Sequence, residues 1–140
     1  MNPFFVLLLL LPLGVLADSP RWDQGTLVKA DIDCDGTPDQ ALLGYEGNSV
    51  ILKLALAGGA QQQPLSFALA GSSADALCGS VGTLSAEPTD AQALQESLGE
   101  VPKGYQQHQG CFDLVLRAGE CDAVNLYWDH QARQLAWWRL

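Results

Sequence analysis

Nine residues, Asp31-Ile32-Asp33-Cys34-Asp35-Gly36-Thr37-Pro38-Asp39, constrain this chain more than any other stretch. Each carboxylate repels the next, so crowding four of them into one short loop is costly unless a cation sits among them. Calcium (Ca2+) suits such a cluster, because it takes roughly 6–8 oxygen ligands and tolerates irregular geometry. The segments on either side read as strands: residues 25–30 enter the loop, and the short apolar run Ala41-Leu42-Leu43-Gly44-Tyr45 leaves it.

Counted from Asp31, positions 1, 3 and 5 are aspartate, Gly36 makes the sharp turn at position 6, Thr37 offers a backbone carbonyl, and Asp39 is position 9. An EF-hand loop begins the same way. The likeness stops at position 12, where Leu42 stands in place of the bidentate glutamate, and at the flanks, which are not helical. An Asp-x-Asp-x-Asp-Gly-x-x-Asp loop between two strands instead resembles the FG-GAP or VCBS repeat of integrin-type propellers. The likeness covers residues 25–57 or so and occurs once. A propeller needs at least about four blades, so the chain is not one by itself. Position by position, the resemblance implies Asp31, Asp33, Asp35 and Asp39 as side-chain ligands and Thr37 as a carbonyl ligand. Cys34 departs from the small or polar residue usual there and implies that the loop is stapled to another part of the domain. The competing reading is an Asp-Gly turn that is solvated and bonded to its own backbone. Extracellular calcium modules bind at about 10⁻⁴–10⁻³ M, which favours a structural staple over a fast sensor.

The remainder alternates. Val50, Leu52, Leu54 and Leu56 share one face of a strand over 49–57, and Leu65, Phe67 and Leu69 repeat the pattern after a Gly/Gln loop. Further strands are expected at 81–86, 111–116, 124–128 and 134–139. The polar segment 18–24 reads as a lead-in with Trp22 free to tuck against the domain, and 101–110 as an exposed loop. One short helix is expected, with Thr89 as N-cap, Gln92 three residues later, Leu94 and Leu98 on one face, and Gly99 as the stop. The expected fold is mainly β: a small antiparallel domain, sandwich or curled sheet, with one helix.

Residues 1–17 read as a cleaved signal peptide, with an apolar run over 4–13 and Ala17 at the cleavage site; an uncleaved anchor is the rival reading. The run is short of the roughly 20 residues a membrane span needs. About 120 residues then form one domain, 18–140, in the periplasm or outside the cell. All four cysteines, Cys34, Cys78, Cys111 and Cys121, lie in it, and an even count in an exported protein points to two disulfides. Three pairings are possible. A hairpin turning at Gly119 would hold Cys111 far from Cys121, which disfavours joining them. The favoured pairing is Cys34–Cys121 with Cys78–Cys111, which would carry Asp122 towards the aspartate loop; Cys34–Cys78 with Cys111–Cys121 is the runner-up.

A net charge of −9 leaves no basic footprint for nucleic acid or anionic membranes and leaves a basic protein as a possible partner. Tyr127, Trp137 and Trp138 could form an aromatic partner surface, although adjacent tryptophans face opposite sides of a strand, so one of them belongs to the core or its edge. His108 and His130 fall in a loop and a turn, both read as solvated, and no nucleophile motif is present, so an enzyme is not expected. Three functions are carried forward. The first is a monomeric exported calcium-binding β domain; the second, an inhibitor of a basic enzyme such as lysozyme; the third, a hydrolase.

Overall fold

The computed structural model describes residues 19–71 and 76–140. Residues 1–17, read above as a signal peptide, lie outside them. Among the described residues there are eight strands and one helix: β1 (Arg21–Ala30), β2 (Asp39–Glu46), β3 (Ser49–Ala55), β4 (Leu65–Ala68), β5 (Thr83–Pro88), α1 (Ala91–Leu98), β6 (Phe112–Arg117), β7 (Val124–Asp129) and β8 (Gln134–Trp138). They form two antiparallel sheets of four strands, ordered β1-β2-β3-β4 and β5-β6-β7-β8, so each sheet is a meander of sequential neighbours. The mainly β architecture expected from the alternating pattern is what the chain adopts.

One apolar cluster is shared by both sheets. Leu43, Val50, Leu52 and Phe67 come from the first, and Leu114, Leu116, Val124, Leu126 and Trp128 from the second. On β7 the alternation is clean, with Val124, Leu126 and Trp128 buried and Asn125, Tyr127 and Asp129 turned to the other side. Trp128 is the most buried tryptophan, at 7% exposure. Trp137 pairs across from Leu126 and meets Phe67 of the other sheet edge-on, with ring centroids 5.4 Å apart, which closes the seam between the two sheets. At 38% exposure, Trp137 is an edge residue with one covered face rather than a free platform.

Three local readings are corrected. Residues 21–24 are not a lead-in but the first part of β1: Arg21, Trp22 and Asp23 pair with Tyr45, Gly44 and Leu43 before a bulge restores register at Val28. Thr26 holds that bulge, its hydroxyl donating to the Asp23 carbonyl at 2.7 Å and accepting from the Leu43 N–H at 3.0 Å. Trp22 packs over Gly44, with the Lys53 ammonium 5.4 Å from its ring centre. The helix cap is Asp90 rather than Thr89. The Asp90 carboxylate accepts from the N–H groups of Gln92 and Ala93, each at 3.0 Å, whereas Thr89 is buried and bonded to His108. Finally, the 101–110 loop is anchored, not merely exposed. Tyr105 is 7% exposed, and its hydroxyl donates to Asp113 Oδ2 at 2.8 Å while accepting from the Asp90 N–H at 2.7 Å.

The disulfides are Cys34–Cys111 and Cys78–Cys121, with Cα atoms 5.3 and 5.5 Å apart. The favoured pairing of Cys34 with Cys121 and Cys78 with Cys111 is therefore overturned. The cause lies in two long-range backbone contacts. The Phe112 N–H donates to the Asp31 carbonyl at 2.9 Å, which puts the start of β6, and so Cys111, beside the aspartate loop. The Gly79 N–H donates to the Ala118 carbonyl at 3.0 Å, which seats Cys78 against the β6–β7 turn that carries Cys121. The Gly79 and Gly119 backbones lie so close that a Cβ on Gly79 would stand 2.5 Å from the Gly119 nitrogen, so glycine is needed for this approach. Among the described residues no helix is long and apolar enough to cross a membrane. Two disulfides fit an extracellular or periplasmic protein.

Candidate metal centre

The aspartate loop connects β1 to β2, and its ends are paired, Ala30 opposite Asp39. It is built by carboxylates accepting backbone N–H groups within the loop. Asp31 Oδ1 accepts from Asp35 at 3.1 Å, and Oδ2 from Gly36 at 2.8 Å. Asp33 Oδ1 also accepts from the Asp35 N–H, and Asp35 Oδ1 accepts from Thr37 at 2.7 Å. These bonds coil the backbone tightly, and Cys34 at φ 64° and Gly36 at φ 90° take the left-handed conformations that the coil requires.

Asp39 closes the loop from beneath. It is 1% exposed, with Oδ2 accepting from Ile32 at 2.8 Å and Asp33 at 3.2 Å, and Oδ1 accepting from Ala57 at 2.8 Å. A buried carboxylate is tolerable only with such partners. Ile32, beside it, is fully in the core.

The result is a group of three. One carboxylate oxygen from each of Asp31, Asp33 and Asp39 lies within 4.8 Å of the others, which suits a single hard cation. Asp35 is not in that group and is directed into its bond with Thr37; Thr37 itself is exposed. The mutual repulsion is expressed at Asp33, whose carboxyl is held above the ordinary carboxylate range. Burial is the largest cause and the charge of Asp39 the next; the Asp35 N–H opposes them, and Asp35 and Asp31 add smaller repulsions. A cation among the three would relieve that repulsion. The donor set is all oxygen, of the kind calcium prefers over softer ions.

Beside the loop is an open cavity of about 510 Å3, lined by Asp33, Asp35, Gln62, Trp128, His130 and Arg133 among others. Tyr127 and Trp138 do not face it. They border a smaller cleft of about 90 Å3 under α1, shared with Glu87, Asp90 and Asp113. The three aromatics considered as one surface are therefore split, Trp137 to the sheet seam and Tyr127 and Trp138 to this cleft.

Two constellations had no counterpart in the sequence reading. Asp113 is pushed up to about 6, chiefly by burial, with the Tyr105 hydrogen bond opposing and Glu87 and Asp90 adding repulsion. His108 and His130 come together with ring centroids 6.3 Å apart. His130 is lowered from its ordinary value, first by burial and then by His108, against the pull of Asp129. Both pairs join the 99–111 loop to a sheet strand or the turn after it, and no local motif signals such a contact.

The fold and site define a disulfide-stapled, two-sheet β domain with an acidic loop at the junction of its first two strands. No family model, curated protein or solved structure matches the chain.

Proposed function

We propose that this chain is an exported calcium-binding β domain in which the ion serves a structural role and the protein acts by binding rather than by catalysis. The observation that carries this reading is the convergence of Asp31, Asp33 and Asp39 oxygens within 4.8 Å of one another. The resemblance of residues 25–57 to a single FG-GAP or VCBS repeat supports the same ion, and it is the resemblance alone that adds Asp35 and the Thr37 carbonyl to the Asp31, Asp33 and Asp39 cluster. The position of the loop supports a structural role. It is continuous with β1 and β2, its buried Asp39 ties it to Ala57 beyond β3, and Cys34 ties it to Cys111 at the start of β6.

The test is a calcium titration with thermal unfolding as readout. A ligand that binds only the folded state stabilises it by RT ln(1+[L]/Kd), about 1.4 kcal/mol at ten times Kd. Millimolar calcium should therefore raise the melting temperature over that in chelator. Superimposable curves would reject the reading.

A further inference from the structure

His108, in the loop after α1, and His130, directly after β7, lie outside the ligand set of the aspartate loop. Their rings nevertheless meet at a centroid separation of 6.3 Å and an interplanar angle of 68°. We propose that His108 and His130 form a second and chemically different metal site, a two-imidazole pair for a borderline divalent cation of square-planar preference such as Cu2+ or Ni2+.

The separation is the first support. A metal-bound imidazole nitrogen sits about 2.0–2.1 Å from the ion, so two rings sharing one ion have centres roughly 5–6.5 Å apart, depending on the angle at the metal. The observed separation lies at the wide end of that interval, where the two nitrogens stand nearly opposite one another across the ion, as a square-planar Cu2+ or Ni2+ site allows. The second support is how the backbone holds each residue. The His108 N–H donates to the hydroxyl of buried Thr89 at 3.1 Å, and its carbonyl accepts from that hydroxyl at 3.1 Å and from the Cys111 N–H at 3.2 Å. The His130 N–H donates to the Gly104 carbonyl at 2.9 Å. The two backbones are thus fixed with the rings on the same side of the molecule.

The third support is the partner of one ring. His108 Nε2 lies 2.9 Å from the side-chain oxygen of Gln106. A carbonyl on one ring nitrogen fixes the tautomer with its proton there and leaves the other nitrogen as a metal ligand, the arrangement common to metal-binding histidines. His130 also lines the open cavity beside the aspartate loop, where water can complete the coordination. The two sites would not compete for one ion, since imidazole suits Zn, Ni and Cu while calcium takes oxygen.

The experiment uses the untagged full chain with excess calcium, titrated with Cu2+ by calorimetry and electron paramagnetic resonance. The expected result is one Cu2+ per chain with hyperfine coupling from imidazole nitrogens. His108→Gln and His130→Gln should each weaken binding at least tenfold, because losing even an outer-shell partner typically costs about 10–100-fold. His108 is exposed and His130 half-buried, so both variants should keep the parent's melting curve in chelator. Asp33→Ala should leave Cu2+ affinity within about twofold, as expected of independent sites. Unchanged affinity in either histidine variant, a spectrum without imidazole nitrogen, or a parallel loss in Asp33→Ala would each overturn the proposal.

Discussion

Cys34, in the middle of the aspartate loop, is bonded to Cys111 at the foot of β6, with their Cα atoms 5.3 Å apart across a sequence separation of 77 residues. The bond joins the loop of the first sheet to the first residue before a strand of the second. Removing it as Cys34→Ala/Cys111→Ala should lower stability by about 2–4 kcal/mol, since long closed loops restrict the unfolded chain most. The same variant should also bind calcium more weakly, because the loop loses its tether. Cys78→Ala/Cys121→Ala should lower stability but leave calcium affinity near that of the parent. Chemical denaturation and calcium calorimetry on both variants check this pair of outcomes.

Asp33 and Asp39 should fail in different ways. Asp33→Ala should abolish the calcium-dependent rise in melting temperature with little loss of stability in chelator, where Asp33 is a repelled carboxylate. Asp39→Ala strands three backbone N–H groups, those of Ile32, Asp33 and Ala57. Only the Ile32 bond is buried and the other two are part-buried, and a buried unsatisfied donor costs about 1–3 kcal/mol, so this variant should lose at least that much even without the ion. Urea denaturation in chelator separates the two.

Asp113 sets a pH dependence with a definite sign. Its folded-state pKa of about 6 exceeds the ordinary 3.8, so the folded state holds the proton more tightly than the unfolded chain does. The associated stability is full below the ordinary value and is lost as pH rises towards and through 6. The ceiling is about 3 kcal/mol, from about 1.4 kcal/mol per pKa unit. Asp113→Asn, which keeps an acceptor for the Tyr105 hydroxyl, should flatten the stability profile between pH 4 and 7 and leave the protein more stable at neutrality. Denaturation at a series of pH values in chelator measures both effects. A smaller residual slope of the same sign should persist from Asp33, whose pKa is also raised.

Two adjacent residues test the start of α1. Asp90→Ala should cost about 1 kcal/mol, as loss of a side-chain N-cap does. Thr89→Val removes the hydroxyl that both donates to and accepts from the His108 backbone. It should loosen the 99–111 loop and speed amide exchange at His108 and Tyr105. Hydrogen exchange distinguishes the two, because the Asp90 variant should affect chiefly the first turn of the helix.

Alternation in sequence was enough to determine the β character and most of the strands, because burying one face of a strand imposes a period of two wherever it occurs. The aspartate loop was legible for a related reason. Its hydrogen bonds run between residues two to seven apart, so the sequence holds nearly the whole coil. Even there, spacing grouped four aspartates and a threonine, while the fold draws Asp31, Asp33 and Asp39 into one cluster. The N-terminal half of β1 was hidden because its polar residues lie on an edge strand and only its pairing with β2 defines it.

Tertiary structure alone decided the disulfides, the Tyr105–Asp113 bond and the meeting of His108 with His130. Each depends on how one sheet or loop is placed against another, and hydrophobic packing that sets that placement is non-directional along the chain. Cys34 reaches Cys111 and not Cys121 because the Asp31 carbonyl accepts from Phe112 and Gly79 lies against Gly119. The sequence carries the loop that suits a cation; the contact between the two sheets decides what that loop is fastened to.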